Sequence, residues 1–425
     1  MTSEPAVGDR LELDVGPVAH GGICIARYDG RVVFVRHALP GERILARLTD
    51  VRSRYWRADA VEILVRSPDR VPAPCPFAGP GRCGGCDWQH ASLPAQRELK
   101  AAVVAEQLRR LAGLSIAVKV EPVPGGPDDG LGWRTRANFA VSPAGRAGLR
   151  RHRSHEIEPI GDCLIAHRHI RDLDVPGRAW PGAESVAAIA SSTGERSVVI
   201  QSAAGDIAVP PLPDGTSVVV DGNRRTGRTY VTEQAAGRTW RVSGGGFWQV
   251  HPGAADVLVD AVIEALEPRP GERVLDLYAG VGLFAGALAA RVGPAGSVVA
   301  VESNRRAVTD ARRNLHDLPW LRLVPGRVDR ALPADPVDVV VLDPPRTGAG
   351  ADVVRGIAGL SPRAVAYVAC DPAALARDVA TFAELGYLLR DLRAFDLFPM
   401  THHVECIALF EHGNPQRVAG ISRSA

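Results

Sequence analysis

The stretch "RVLDLYAGVGLF", residues 273 to 284, decides the fold. An apolar, β-branched run ends at Tyr278, two glycines follow at 280 and 282, and a helical pattern begins at once. Glycines there let backbone approach a ligand, and the helix N-terminus behind them faces it. Downstream the same unit recurs: "SVVAVE", a helix, "LRLVPG", "VDVVVLD", a helix, "AVAYVAC", a helix, then "YLLRDLRAFD" and "VECIALFE". Strand and helix in alternation predict a doubly wound, Rossmann-like α/β sheet with ligands at the carboxyl ends of its strands. The last two strands have no helix between them, which predicts a terminal antiparallel hairpin. Glu302 closes the second strand 26 residues after Asp276, where a carboxylate can accept hydrogen bonds from ribose hydroxyls. A lone G-x-G also fits a dinucleotide enzyme. The absent G-x-G-x-x-G spacing and the terminal hairpin favour S-adenosylmethionine.

Upstream, residues 7 to 66 carry short β-rich runs ("RLELDVG", "RVVFVRHA", "ERILARLTDV") cut by Gly, Pro and Asp turns. They predict a small OB-like barrel, either an oligonucleotide binder or a structural module. A Pro-rich linker leads to a helix over residues 93 to 112, with Ala101, Val104, Leu108 and Leu111 on one face, and short strands fill 131 to 240. The expected domains are 1–67, a barrel; 68–240, a central β-rich domain; and 241–425, the α/β domain.

With 425 residues the chain has room for two or three cores. No apolar run approaches the roughly 20 residues of a membrane helix and the N-terminus lacks a signal pattern, so a cytoplasmic protein without membrane attachment is expected. The net charge of +2 makes no global case for nucleic acid. Locally, six arginines and no acidic residue lie between Arg134 and His155, which suits either a solvated face or a phosphate-tracking surface.

Three strand ends carry the chemistry. "VVLDPPRTG" presents Asp343 on a loop stiffened by two prolines. "YVACDPAALARD" puts Cys370 on a strand-to-helix turn, and "THHVECIALF" begins the last strand with Glu405. A thiol beside a carboxylate is what methylation of a pyrimidine carbon needs. Thiolate addition to C6 makes C5 nucleophilic, and a base must then remove the C5 proton so that the cysteine can leave.

With "FWQVH", "DLYAGVG", "LDPPR", "YVACDPAALARD" and "HHVE" in this order, the chain resembles the RNA uracil-5 methyltransferases. The resemblance implies that Cys370 is the nucleophile and Glu405 the proton acceptor. It implies further that Gln249, Tyr278, Glu302 and Asp343 contact S-adenosylmethionine, and Gly280 of the glycine turn is expected to bind it as well. Leu283, His251, Ala279 and Asp371 depart from the family pattern, the last replacing Asn beside the nucleophile. A carboxylate there is expected to disfavour the thiolate. The barrel resembles the TRAM module.

Seven cysteines in an intracellular chain argue against a disulfide framework. Cys75, Cys83 and Cys86 form C-x7-C-x2-C, and Cys163 is the candidate fourth ligand. Zinc is the default for four cysteines. The resemblance to the family's ribosomal branch favours a [4Fe-4S] cluster instead. The expected activity is methyl transfer to C5 of a uridine in RNA, 23S rRNA first, by a monomer. A tRNA substrate, methylation of another atom, and a silent RNA-binding scaffold are the alternatives.

Overall fold

The computed structural model describes residues 5–203, 205, 207–413 and 422–423; the outermost ends of the expected first and last domains lie outside these. Strands Arg10–Ala19, Ile23–Tyr28, Arg31–Arg36, Arg43–Val51 and Tyr55–Val65 close into a barrel. Alternate residues point inward, as Leu11, Leu13 and Val15 do, so a period of two builds the barrel core.

The central region is a seven-stranded sheet over residues 136–226, followed by the hairpin Tyr230–Ala235 with Arg238–Ser243. Its core, around Phe139, Trp180 and Val198, is separate from that of the barrel.

The α/β domain is an eight-stranded sheet. Its spatial order is Leu321–Pro325, Ser297–Glu302, Arg273–Leu277, Val339–Leu342, Ala364–Ala369, Glu405–His412, Tyr387–Asp396 and Val120–Pro122. The first five strands run parallel, and the strand order reverses direction at Arg273–Leu277. The predicted hairpin is present, with Glu405–His412 antiparallel to both of its neighbours. Successive residues feed opposite cores. Val274, Val339, Val341 and Ala366 pack under helices Ala254–Leu266 and Leu283–Val292. Leu275, Leu277, Val340, Leu342 and Tyr367 pack under Ala351–Gly359, Pro372–Glu384 and Leu93–Ala112.

Helix Leu93–Ala112 forms where expected, capped by Ser92 and carrying Pro94 in its first turn, where a missing N–H costs nothing. One expected face residue differs: Leu111 is exposed, because the helix turns its Val104 and Leu108 side alone to the sheet. Elements not anticipated include helix Ala254–Leu266 and strand Val120–Pro122; the latter extends the α/β sheet from a segment assigned to the central domain.

Candidate active site

Ala369 faces Cys406 across the antiparallel pair, so continuing the register by one residue sets Cys370 opposite Glu405. Residues opposite one another project to the same face of a sheet. Asp343, the residue after Leu342, joins them from the adjacent parallel strand, its N–H donating to the Leu277 carbonyl at 3.3 Å. The "DPPRTGA" loop is held in shape by Asp378 on the next helix, whose Oδ2 accepts from Ala349 N at 2.8 Å and from Tyr367 Oη at 2.7 Å.

These three acids influence one another. Burial pushes the Cys370 thiol up to about 12, with the charges of Glu405 and Asp343 adding to the rise and Arg346 opposing it. Glu405 is driven well above the usual carboxylate range by burial and then by Asp343, again against Arg346. Asp343 is raised by burial. A carboxyl group whose proton affinity is raised above the usual carboxylate range is what a base for a carbon acid requires. The resting thiol, by contrast, is not preformed as a thiolate. Sequence reasoning passed over Arg346, a cation weighing on both groups, although it stands in the quoted "LDPPR" motif.

Cys370 opens on a cavity of about 200 Å³. Arg346, His402 and His403 line it from the α/β domain, and His20 and Gly22 line it from the barrel. Asp87 Oδ2 holds His402 Nδ1 at 2.6 Å, and His403 Nε2 lies 3.4 Å from an Arg346 nitrogen.

Asp371 behaves differently from its expected role. Its Oδ1 caps helix Pro372–Glu384 by accepting from Ala374 N at 2.8 Å, and its Oδ2 lies 2.9 Å from His20 Nε2. Burial works to raise its pKa, but the bonds from His20 and the backbone hold it below the usual carboxylate value. The charges that raise the Cys370 thiol are those of Glu405 and Asp343.

At the end of the first strand, Gly282 takes φ +95°, and a Cβ there would lie 2.5 Å from Leu315 Cδ1, so no larger residue fits. Glu302 Oε2 accepts from Gly280 N at 2.9 Å, which ties the second strand end to the glycine loop. Asp276 is buried; its Oδ2 accepts from Ala285 N at 2.8 Å, while Oδ1 finds no partner among the described residues. Tyr278 takes φ +63° and lines a cavity of about 420 Å³ with Ser303, Arg327 and Ala349. An open glycine turn, a helix N-terminus, acidic acceptors and a flanking aromatic fit the nucleoside and amino-acid parts of S-adenosylmethionine. Tyr278, Gly280 and Glu302 thus stand together at this strand edge. Gln249 lines another cavity, of about 890 Å³, with Thr135, Trp248 and His251.

The arginine run divides. Arg136 is largely buried and paired with Glu233 at 3.1 Å, and Arg151 binds Glu156 and Glu158, each at 2.8 Å. Arg136 serves the fold, while Arg151 is partly exposed and held at the surface by both carboxylates. Arg153 is exposed and packs toward Arg57 and Arg36 of the barrel, with Arg57 5.2 Å over the Tyr55 ring and 5.8 Å over Phe34. Cations beside partly exposed aromatic rings provide for phosphates and stacked bases together.

Cys75, Cys83, Cys86 and Cys163 share one neighbourhood. Burial raises Cys83 to about 11, with Cys163 and Cys75 adding to it, and burial and then the charges of Cys163 and Cys83 raise Cys86. Gln89 ties the loop, accepting from Cys75 N at 3.0 Å and donating to Cys86 Sγ at 3.2 Å. Among the described residues, however, no three His, Cys, Asp or Glu side chains form a set that could hold a metal ion. The thiols are neighbours, but the expected [4Fe-4S] or zinc site is not shown among the described residues.

Comparison with known proteins adds to these observations. Residues 6–61 match the TRAM domain, 253–358 the methyltransferase small domain, and 329–412 the family described as tRNA (Uracil-5-)-methyltransferase. The chain is 53% identical to an "Uncharacterized RNA methyltransferase" of Streptomyces avermitilis, over 95% of this chain and 99% of that one. A Bifidobacterium longum protein of the same description is 40% identical over 94% and 96%. In structure, the chain is similar to the tRNA (uracil-54, C5)-methyltransferase of Pyrococcus abyssi, solved with S-adenosyl-L-homocysteine. That likeness has a TM-score of 0.72 at 23% identity and covers 94% of this chain and all of the other, which establishes a shared fold. Among the described residues no helix is long and apolar enough to cross a membrane.

Proposed function

We propose that this chain, which belongs to the TRAM-containing RNA (uracil-5-)-methyltransferase family and is an S-adenosylmethionine-dependent RNA methyltransferase, methylates C5 of a uridine in tRNA through a covalent adduct on Cys370. The observation that carries the reading is the opposition of Cys370 and Glu405 at one strand pair, with Asp343 beside them. S-adenosylmethionine supplies an electrophilic methyl group. The protein's own groups do the rest. Cys370 Sγ, its proton released to solvent, bonds to C6 of the uracil; once C5 carries the methyl group, Glu405 accepts the C5 proton and the C6–S bond breaks to return the thiolate. Burial of Glu405 supports its part, since a carboxylate of ordinary pKa is a weak base toward a carbon acid.

tRNA is preferred to 23S rRNA because the family matched over residues 329–412 is described by tRNA, and the solved protein of like fold acts on a tRNA uracil. Tyr278, Gly280, Glu302 and Asp343 are proposed to hold the cofactor. Gln249 would join them only from across the central-domain cavity. For Cys75, Cys83, Cys86 and Cys163 the finer reading is a structural [4Fe-4S] cluster, with zinc as the other choice. Its support is the proximity of the four half-buried thiols, Cys163 and Cys75 weighing on Cys83, and Cys163 and Cys83 on Cys86. The expected domain limits, 1–67, 68–240 and 241–425, stay with this reading as functional units, except that residues 93–122 pack with the α/β sheet.

Nucleoside mass spectrometry of unmodified tRNA and 23S rRNA transcripts incubated with protein and S-adenosylmethionine tests the proposal. 5-Methyluridine in tRNA is the expected product. The same product in rRNA alone would move the substrate, and a methyl group on another atom would overturn the chemistry.

A further inference from the structure

The barrel reaches the nucleophile. Its first turn, His20 to Gly22, lies 351 positions from Asp371 in sequence, yet His20 Nε2 is 2.9 Å from Asp371 Oδ2, and Asp371 adjoins Cys370 and caps the helix behind it. The turn is pinned at two further points. Trp88, fully buried, donates its indole N–H to the Gly22 carbonyl at 3.1 Å. Gly22 takes φ +74°, and a Cβ there would lie 2.5 Å from His402 Cβ, so the backbone of the turn lies directly against the loop that leads to Glu405. His20 and Gly22 then form one wall of the cavity on which Cys370 opens.

We infer that His20 is a positioning residue for the methyl transfer and that the barrel turn completes the pocket for the reacting base. This rests on the reading of Cys370 as the nucleophile. A barrel that only gripped RNA elsewhere would need no hydrogen bond to the residue following the nucleophile and no glycine against His402. Held by His20, Asp371 fixes the start of helix Pro372–Glu384 and with it the position of Cys370 relative to Arg346 and Glu405. Without that bond the turn and the nucleophile loop move independently, and displacement of reacting groups by roughly 1 Å can cost up to about a hundredfold in rate.

The test uses the full chain with a tRNA transcript carrying 5-fluorouridine, on which the wild type should form a stable adduct because fluorine cannot leave as a proton. Single-turnover adduct rates and steady-state constants are measured for His20→Ala, His20→Gln and Asp371→Asn, with thermal melting of each. His20→Ala is expected to lower kcat and the adduct rate roughly tenfold or more, with little change in KM for RNA and a melting temperature near wild type. His20→Gln keeps a donor and should recover most of the rate. Asp371→Asn keeps one carbonyl oxygen to cap the helix N-terminus and turns its amide N–H toward His20, whose neutral Nε2 can accept, so it should stay within about threefold of wild type. Unchanged kcat in His20→Ala, a defect confined to KM, or no recovery with Gln would each overturn the inference. Should the wild type itself form no adduct, the failure lies with the assignment of Cys370 and is visible before any variant is made.

Discussion

Lys100 Nζ donates to Asp396 Oδ1 at 2.5 Å and to the Phe398 carbonyl at 3.0 Å, with both charged side chains shut off from water. The pair bolts helix Leu93–Ala112 to the end of the strand that precedes the His402–His403 loop. Burial depresses the lysine below its usual value, and the charge and hydrogen bond of Asp396 offset part of that fall. Breaking such a pair from one side leaves an unpaired buried charge and costs about 3–5 kcal/mol. Lys100→Met is therefore expected to lower the denaturation midpoint sharply, whereas Lys100→Met with Asp396→Leu should regain most of the loss. Urea titration of the three proteins measures it, and equal stability of single and double variants would contradict it.

Cys370→Ala should bind RNA and cofactor yet form no adduct and transfer no methyl group. Glu405→Gln should transfer the methyl group and then stall, leaving a protein–RNA conjugate that survives denaturing electrophoresis. Loss of the Glu405 charge should also let Cys370 ionise below its value of about 12. Iodoacetamide labelling of Cys370 against pH should shift to lower pH in Glu405→Gln.

Asp371→Asn is expected to leave the labelling curve of Cys370 unmoved, since its carboxylate is engaged by His20 and the helix cap. The pair has its own pH window. His20 is raised first by its bond to Asp371, so its contribution is complete below the unfolded value of about 6.5 and fades as pH climbs through the raised one. Asp371 is lowered, so its contribution is present above about 3.9 and is lost as pH falls through its folded value. Hydrogen exchange of the barrel turn should be slowest between those limits and quicken on the alkaline side.

Arg57→Glu and Arg153→Glu should each weaken binding to all RNAs alike. For single-stranded RNA, the salt exponent should fall by roughly 0.7 for every phosphate that the variant no longer neutralises. Arg151→Glu should instead disturb folding, through Glu156 and Glu158. Filter binding at several salt concentrations separates the two outcomes.

Protein purified without oxygen is expected to carry iron and sulfide on the four cysteines. Zinc alone would replace that assignment, and metal-free protein that binds RNA and turns over would remove it.

The sheet was legible because its strands are apolar runs ending in Gly, Pro or Asp, a pattern that survives in one dimension. The barrel was legible for the same reason, through alternation at period two. That Cys370 and Glu405 meet is an expectation the sequence supports through strand-end chemistry and family resemblance, but their direct opposition depends on the register of the terminal hairpin, which no local pattern of residues specifies. The burial of Arg136 and the pairing of Arg151 depend on Glu233 and Glu158, which lie outside the stretch that looked free of acids. Asp371 was read by its neighbour in sequence, while its partner in space comes from the barrel. Strand Val120–Pro122 is too short to show any period.

That three-residue strand bears on how the protein can be divided. It pairs in parallel with Ala394–Asp396 at the edge of the catalytic sheet, so the half that carries the chemistry is finished by a segment synthesised long before it. Cutting the chain near residue 240 strips that edge and leaves its peptide groups open to pair with other molecules. The catalytic half is thus not a transplantable cassette, and a split or chimeric enzyme would have to bring residues 93–122 along with it.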